Sequence, residues 1–399
     1  MPVHFSSLPE PLAEPARPLK SRWLGLSAVL LLVLFGLGRW FPLRQAVGEA
    51  WFLLLTVVFP LLIGLVFYGI RLWIYENRRE YVLQWNETRQ DTEAKLIAQG
   101  QRTLGVLSLS YHTAVANNKL ADALLQGAVG LQPVYFPTDE RVAHFSQLAP
   151  PPVKQTQEEY VSRLSLHLQQ VLSALDHEYL IQPCALRVRH DQTLSDDALL
   201  ERLCAWLAEQ QLPFGEVSLD NQADGLLWLD DWLDNDAANP LVLSIEIQLN
   251  QLPVADIAES VSAVLLAKSS WCRRHAVTPL ALVHRPVALS SVAAQVDELL
   301  VCSAATGPEP LFLWQTRCEQ PPYVEAISAL DARGFDVAAR QHRLDSSLGL
   351  LANGTGNLTL ACAVEHLRSS SLAQLILLTD LSLQGCLVRA IPELPQDKQ

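Results

Sequence analysis

Two long apolar segments near the N-terminus constrain the fold of this chain most strongly. The first, WLGLSAVLLLVLFGLGRWF, covers residues 23–41, and the second, WFLLLTVVFPLLIGLVFYGIRLWIY, covers residues 51–75. A helix that crosses a bilayer needs about 20 apolar residues, and both segments are close to that length or above it. Because only a short connection separates them, we predict a two-helix transmembrane hairpin over residues 23–75.

A cleaved signal peptide is the alternative interpretation of the first segment. A long polar tail precedes it, no small-residue cleavage site follows it, and the second apolar segment comes at once, so the sequence favours the hairpin. We expect Pro60 to kink the second helix without ending it.

The flanks of the hairpin predict its anchoring and its orientation. Tryptophan favours the membrane interface, and four tryptophans lie at the ends of the two segments: Trp23, Trp40, Trp51 and Trp73. Cationic residues cluster outside the hairpin and are sparse in its connection. By the positive-inside rule, both termini are cytoplasmic, as in a multi-pass protein of the bacterial inner membrane. The outer cations are Arg17, Lys20, Arg22, Arg71, Arg78, Arg79, Arg89 and Lys95, and the inner ones are Arg39 and Arg44.

Changes in composition set the other boundaries. Residues 1–22 are polar and proline-rich, which predicts a disordered cytoplasmic tail, and residues 392–399 form a second tail. Residues 76–102 are charged and helix-prone, so we predict a helical stalk. Residues 103–391 alternate short apolar runs with amphipathic stretches, which is typical of an α/β domain with a largely buried sheet. We predict strands at residues 103–109 and 241–249, and helices at residues 160–175 and 198–211.

Charge and cysteine content narrow the function classes. The formal net charge is −13, and an acidic chain repels nucleic-acid phosphates, so we expect no nucleic-acid partner. The seven cysteines are scattered, form no C-x-x-C pair and all follow the apolar segments. This pattern favours reduced thiols in a cytoplasmic domain over a disulfide framework.

Four segments of the large domain resemble the β-ketoacyl synthases. Residues 104–134, LGVLSLSYHTAVANNKLADALLQGAVGLQPV, resemble the family's opening strand, polar turn and helix with their leucine-leucine-x-Gly-x-x-Gly turn. Residues 258–286 are similar to the E-G-A-x-A-L-L-L strand and the helix, turn and strand after it. Residues 349–361, GLLANGTGNLTLA, are similar to the family's G-H-T-x-G-A-A-G-x-L-x-L-A, and residues 372–391 resemble the closing pair of strands.

The resemblance implies a fold and a mode of pairing. It implies a duplicated, thiolase-like α/β/α/β/α domain with halves at residues 103–239 and 240–391, each containing a mostly parallel sheet. Ketosynthases usually pair through the edges of their first sheets, so the resemblance also implies a homodimer.

The departures from the family concern its chemistry. Ketosynthases use a cysteine nucleophile and two histidines that stabilise the developing enolate and oxyanion. Leu350 stands at one histidine position, and Thr316, Arg317 and Cys318 stand where the family has H-G-T-G-T. The region that corresponds to the T-A-C-S-S nucleophile turn, residues 224–240, contains no cysteine. Because leucine can neither donate a hydrogen bond nor carry a proton, the resemblance implies a pseudo-enzyme with no catalytic residues.

Three other motifs favour packing over ligand binding. Asn357 follows Gly356 where a phosphate-binding loop needs lysine, so we interpret the loop as a strand-to-helix turn with Gly356 selected for close packing. Cys272, His275 and the nearby His284 offer too few matched ligands for zinc. A run of four aspartates lacks the glycine and glutamate of an EF-hand loop, and we interpret it as a solvated face rather than a calcium site: Asp230, Asp231, Asp234 and Asp236.

Trp228 and Trp232 lie one helical turn apart within the acidic segment. Core packing is the first interpretation, because tryptophan buries a large area. The second is a partner-binding groove, because tryptophan is enriched at interface hot spots.

Two functions remain open at this point. The first is a membrane-anchored, non-catalytic pseudo-ketosynthase that acts as a scaffold or adaptor for another protein, without cofactor or metal. Its layout is similar to the accessory and effector-adaptor proteins of type VI secretion clusters, which implies an envelope-associated complex. The alternative is an enzyme or binder of lipid-linked or carrier-linked acyl chains that uses an unusual nucleophile such as Cys318 or Cys362.

Overall fold

The computed structural model contains two compact units, which lie within residues 5–96 and residues 97–399. The residues that the structure describes are 8–40, 48–136, 141–151, 156–176, 178–179, 183–209, 214–220, 222, 224–305, 307–318 and 321–391. The predicted tail at residues 392–399 lies outside them, as do the first seven residues and most of the predicted connection of the hairpin.

The smaller unit consists mainly of two helices, α1 (Lys20–Trp40) and α2 (Glu49–Gly100). Both are long and apolar enough to cross a membrane, judged by length and composition. α2 includes the predicted second segment and the predicted stalk in one helix. A π-helical turn, Leu54–Val58, lies just before Pro60, which has no N–H to donate to the preceding turn.

The two helices pack side by side in antiparallel directions. Trp23 contacts Tyr68 near one end with ring centroids 6.4 Å apart, and Phe35 contacts Phe52 near the other at 6.1 Å. A Cβ on Gly64 would lie 2.2 Å from the Ser27 hydroxyl, so the small residue permits the close approach. Of the four tryptophans predicted as anchors, three are exposed and Trp23 is half-buried; the exposed ones are Trp40, Trp51 and Trp73.

The predicted disordered tail, residues 1–22, is described from residue 8 onwards, and its last three residues belong to α1. Residues 8–19 contain no helix or strand but contact α2. Asn86 accepts from the Leu12 N–H at 2.9 Å and donates to the Leu12 carbonyl at 3.0 Å. Arg89 donates to the Pro9 carbonyl at 2.7 Å. The tail therefore lies along α2 rather than apart from it.

The larger unit is a mixed α/β domain. Its first elements are β1 (Thr103–Thr113), α3 (Leu120–Leu125), β2 (Gln132–Phe136), β3 (Arg141–Phe145), α4 (Gln157–Ser173), β4 (Cys184–Arg189), α5 (Asp196–Glu209), β5 (Phe214–Leu219), α6 (Trp228–Asp234), β6 (Leu241–Gln248) and β7 (Ser260–Lys268). The others are α7 (Ser269–His275), β8 (Ala281–His284), β9 (Val287–Ala288), α8 (Val292–Cys302), β10 (Leu311–Thr316), α9 (Pro322–Asp331), β11 (Gln341–Arg343), α10 (Leu344–Leu348), α11 (Thr355–Ser370), β12 (Ala373–Thr379) and β13 (Leu383–Arg389).

The strand order shows an internal repeat. The order is β11-β10-β12-β13-β8-β1-β7-β6-β4-β5. The first five strands of this order and the last five follow the same pattern in opposite directions, and the two sets are joined where β8 pairs with β1. In each half, three strands are parallel and two are antiparallel to their neighbours. The predicted duplication is therefore present.

The boundary between the halves lies after β7, near α7, and not at residues 239–240 as predicted. The reason is the hydrogen bonding of β6, which pairs with β4 and β7 of the first half. The predicted boundary relied on the Asn239-Pro240 turn before β6, but that turn lies within the first repeat.

The repeats enclose a central helical layer. α11 contacts strands of both halves, among them β6, β7, β10 and β12, so the sheet must bend around it. Twelve of the 16 residues of α11 are buried. α4, α5 and α7 cover the outer face of the first half, and α8 packs on β9 and β13 of the second. This gives the layer order helix, sheet, helix, sheet, helix.

Candidate functional site

Inside the domain, the carboxyl ends of β4, β6, β10 and β12 meet the amino-terminal ends of α6 and α11. Charged side chains are rarely buried unless they are paired, so we describe the partner of each charged side chain at this point. We call this set the ionic cluster. Its members are Arg187, Arg189, Asp220, Asp224, Glu246, Arg317 and Asp380.

Arg187 is the centre of one half of the ionic cluster. Its guanidinium lies 2.8 Å from Asp220, 3.4 Å from Asp224 and 3.2 Å from Glu246, and its side chain is 4% exposed. The same group lies 4.4 Å from the ring centroid of Trp228. Three carboxylates and an aromatic face therefore compensate one buried cation.

Asp380 is the centre of the other half, and its side chain is 1% exposed. Its two carboxylate oxygens lie 2.8 Å from Arg189 and 2.8 Å from Arg317. It also accepts a hydrogen bond of 3.1 Å from the Gly225 N–H. One carboxylate thus connects β4, the end of β10 and the turn that leads into α6.

Glu246 fixes the beginning of α11. It is fully buried and accepts a hydrogen bond of 2.8 Å from the Asn357 N–H, one of the first N–H groups of that helix. The Asn357 side chain donates to the Ser244 carbonyl at 2.9 Å, so α11 is bound twice to β6. A carboxylate at a helix N-terminus is favourable because the first N–H groups have no partner within the helix.

Asp224 is a member of the ionic cluster with a pKa near neutral pH. Burial raises its pKa from 3.8 to about 7, and the Arg187 guanidinium opposes that rise. Asp220 and Glu246, which are also acidic, add to it. The cluster therefore contains a carboxyl group whose pKa lies in the physiological range, and burial also raises the pKa of Glu246.

The structure brings together two of the three positions that the resemblance relates to catalysis. Arg317, at the end of β10, and Gly225, before α6, both contact Asp380. Leu350 lies elsewhere. Its N–H bonds to the Asp256 carbonyl at 2.8 Å, and its side chain is 45% exposed.

The loop at residues 349–354 differs from its predicted role in one respect. It joins α10 to α11, two helices, and is therefore not a strand-to-helix turn. The packing role of Gly356 is confirmed: a Cβ there would lie 2.9 Å from the Glu246 carboxylate and 3.1 Å from the Gly225 carbonyl.

The two cysteines considered as nucleophiles are sealed within the domain. Burial raises the pKa of the Cys318 thiol to about 12, and its sulfur lies 3.2 Å from the Leu377 carbonyl. Cys362 is fully buried on α11, and burial raises its pKa well above the ordinary value. A thiol acts as a nucleophile when its pKa is lowered and the sulfur is accessible. Cys318 and Cys362 are buried and have raised pKa values, so neither is suited to that role.

The residues considered as metal ligands have other partners. His275 stacks on Trp271 with centroids 4.3 Å apart, and Cys272 is buried. Asp230 and Asp234 are half-buried and pair with the buried Arg285, so the predicted solvated face holds only for Asp231 and Asp236. Over the described residues, no group of three histidine, cysteine or carboxylate side chains could hold a metal ion.

Trp228 and Trp232 stack with ring centroids 6.0 Å apart. Trp232 is 8% exposed and donates to the Asn239 carbonyl at 2.9 Å, so it belongs mainly to the core. Trp228 is half-buried. Together they form part of the wall of a cleft of about 250 Å³ beside β5.

The ionic cluster was not predicted, although the sequence contains a signal for it. Arg187 and Arg189 alternate in the strand CALRVR, and Glu246 interrupts the apolar strand LVLSIEIQ. Side chains at alternate positions share one sheet face, and strands buried on both faces rarely carry charges. Charges at such positions indicate a buried polar site.

Known proteins resemble this chain in fold. No protein-family model and no curated protein sequence matches it. The ishigamide ketosynthase/chain length factor gives a TM-score of 0.50 at 13% identity, covering 72% of this chain and 99% of its own. A type II polyketide synthase acyl-carrier protein in complex with its ketosynthase gives 0.51 at 10% identity, covering 73% and 100%. Ketosynthase twelve of the bacillaene polyketide synthase in Bacillus amyloliquefaciens gives 0.51 at 10% identity, covering 72% of each chain.

At sequence identities of 10–13%, the likeness to these structures concerns the fold and not the chemistry. They agree with the duplicated strand order and with the layers around α11. The large domain of this chain therefore has the thiolase-like fold of the ketosynthases.

Proposed function

We propose that this protein is a membrane-anchored, non-catalytic scaffold or adaptor built on a ketosynthase-type domain. The observation that carries the proposal is the ionic cluster, which lies at two of the three positions where the resemblance expects catalytic groups, the nucleophile turn and one of the histidines. Arg317 and Gly225 stand at two of those positions, and both are bound to Asp380. The space is occupied by paired charges that stabilise the fold.

The main-chain donors at the start of α6 are also in use. Gly225 N–H bonds to Asp380, and Leu226 N–H bonds to Gln384 at 2.9 Å. Stabilisation of an oxyanion needs preorganised donors directed at the developing charge. Donors that already bind a carboxylate and an amide oxygen do not serve that purpose.

The anchor is the helical pair α1 and α2. In this proposal both helices cross the bacterial inner membrane, and the cations on their outer flanks place both termini and the large domain in the cytoplasm. The partner is another protein of an envelope-associated complex. The similarity in layout makes the type VI secretion apparatus the first complex to examine.

Covalent labelling tests the absence of catalysis. The full chain, purified in detergent, is treated with a cerulenin-like electrophile and with an acyl-thioester probe, beside an active ketosynthase as a positive control. We expect mass spectrometry to find no cysteine labelled with one-to-one stoichiometry, because burial keeps the Cys318 and Cys362 thiols protonated.

Stoichiometric labelling at one cysteine, with activity lost when that residue is replaced by serine, would overturn the proposal. The acyl-binding enzyme would then be the better account.

A further inference from the structure

β5 ends the strand order and leaves one of its edges open. It pairs with β4 in a parallel register that sets Arg187 opposite Ser218. Within the described ranges, no strand pairs with its other side, and Gly215, Glu216 and Ser218 are exposed. Such an edge presents N–H and C=O groups as a template for an added strand. The opposite end of the sheet, β11, is only three residues long.

The cleft of about 250 Å³ noted above opens beside this edge, and we call it the tryptophan cleft. Trp228 and Trp232 form one part of its wall. Glu216 and Ser218 of β5 form another, and Asp231 of α6 lies on its rim. Aromatic rings next to a strand edge offer apolar contact to a side chain that enters from an added strand.

The tryptophan cleft carries uncompensated negative charge. Glu216 and Asp231 are exposed, and in the described part of the chain neither belongs to an ion pair. Arg187 also lines the cleft, but three carboxylates already neutralise it. A further cation, Lys268, is half-buried with its ammonium 5.8 Å from the Trp232 ring centroid. The net field at the cleft therefore favours a cation.

We propose that the open edge of β5 and the tryptophan cleft bind an extended, basic segment of a partner protein. The segment adds to β5 as a new strand, and every second side chain then faces α6. A lysine or arginine there lays its apolar stem against the exposed part of Trp228 and pairs its charge with Glu216 and Asp231. This inference rests on the proposed adaptor role and gives the chemistry of the partner.

A second copy of the chain is the competing occupant, because the resemblance to ketosynthases implies pairing through this edge. An antiparallel pair centred on FGEVSL would place the two Glu216 side chains opposite or diagonal to each other. Like charges in such positions are destabilising, and the Asp231 side chains add to the repulsion. Charge complementarity therefore selects a basic partner over a second copy.

The test uses the full chain in non-ionic detergent and a fluorescein-labelled octapeptide of alternating valine and lysine. Fluorescence anisotropy should show saturable binding that weakens as salt is raised. The double variant Glu216→Gln/Asp231→Asn should bind about tenfold more weakly, since two rim ion pairs are lost. The same peptide with alternate amides N-methylated should lose binding, because strand addition needs its N–H groups.

The matched control is Asp197→Asn/Glu201→Gln, which removes two exposed charges from α5. It should bind the peptide as the unaltered chain does. Equal affinity of the cleft double variant and the control would overturn the proposal, as would equal binding of a valine–glutamate octapeptide. Mass photometry measures whether the chain forms a dimer. A dimer that is disrupted by Glu216→Lys would identify a second copy of the chain as the occupant and would also overturn the proposal.

The failures of the two proposals are distinguishable. Labelling of a cysteine would defeat the non-catalytic role and leave the peptide result unchanged. Failure of the peptide to bind would remove this docking surface and leave the cysteine chemistry as it was. Circular dichroism of the double variant checks its folding, which we expect to be unaffected because both side chains are exposed.

Discussion

Asp224 couples the stability of the large domain to pH. Its pKa is about 7 in the fold and near 3.8 in an unfolded chain, so the folded state binds the extra proton between those values. Stability from this group is therefore lost as pH rises from about 4 towards 7. As the pH rises from 5 to 8, we expect the free energy of unfolding of Asp224→Asn to increase by about 2 kcal/mol relative to that of the unaltered protein.

Denaturant unfolding of the detergent-solubilised chain at the two pH values measures this difference. Asp236→Asn is the control, because that carboxylate is 83% exposed and pairs with Arg102 at 3.4 Å. A difference that does not change with pH would show that Asp224 stays ionised throughout the range.

Gly356 is a second residue whose role can be measured. A methyl group there meets a buried carboxylate and a main-chain carbonyl, neither of which can move freely. We expect Gly356→Ala to destabilise the domain by about 1–3 kcal/mol, although alanine favours helices. Gly307→Ala is the control, because nothing lies within 4 Å of its added Cβ. Equal melting temperatures for the two variants would contradict the packing role.

At the scale of single residues, the sequence predicts a role correctly where local geometry decides that role. The close packing at Gly356 follows from the motif that it shares with the ketosynthases. The ionic cluster could not be predicted in the same way, because its pairs join residues far apart in the chain, such as Arg189 and Asp380. A charge in an apolar strand indicates a buried partner without identifying it.

At the scale of elements, α4 is held to the first half by a buried ion pair. Arg163 lies 2.9 Å from Glu259, and both side chains are at most 4% exposed. Replacing Arg163 with leucine leaves Glu259 unpaired inside the domain, so we expect a loss of about 3–5 kcal/mol. Arg333→Leu removes the exposed pair with Asp297 and should cost no more than about 1 kcal/mol.

Urea unfolding of both variants makes the comparison. A similar, small loss in the two would mean that water or another cation compensates Glu259. The main-chain N–H groups of Leu148 and Asn250, which donate to this carboxylate, would then suffice to hold it.

The elements with strong periodicity were the ones predicted correctly. The helix predicted at residues 160–175 corresponds to α4, with its ends shifted by two or three residues. The helix predicted at residues 198–211 corresponds to α5, which begins two residues earlier, and its last two predicted residues lie outside the described ranges. β1 extends four residues beyond the predicted 103–109, through Ser110 to Thr113, where polar and aromatic side chains follow the apolar run. Pairing with β7 continues along this extension, and tyrosine and threonine favour strands, so these residues remain in β1.

At the scale of the whole molecule, the orientation of the helical pair is the prediction with the widest consequence. Alkaline phosphatase fused after Gln101 should be inactive, and a cytoplasmic fluorescent reporter fused there should be active, because cations flank the outer ends. The reverse pattern would place the large domain outside the cytoplasm and remove the proposed localisation.

The duplication could be predicted from the resemblance, but its boundary could not. The Asn239-Pro240 turn has the composition of a linker, and only the pairing of β6 with both β4 and β7 shows that it lies within a repeat. Strand order depends on long-range hydrogen bonds, which no local pattern of residues contains.

The connection between α2 and β1 determines how mechanical load would enter the protein. Only Gln101 and Arg102 separate the long helix from the first strand. β1 lies in the middle of the strand order with β7 on one side and β8 on the other. A pull transmitted along α2 therefore acts on a central strand whose hydrogen bonds share the force, rather than peeling an edge strand away one bond at a time.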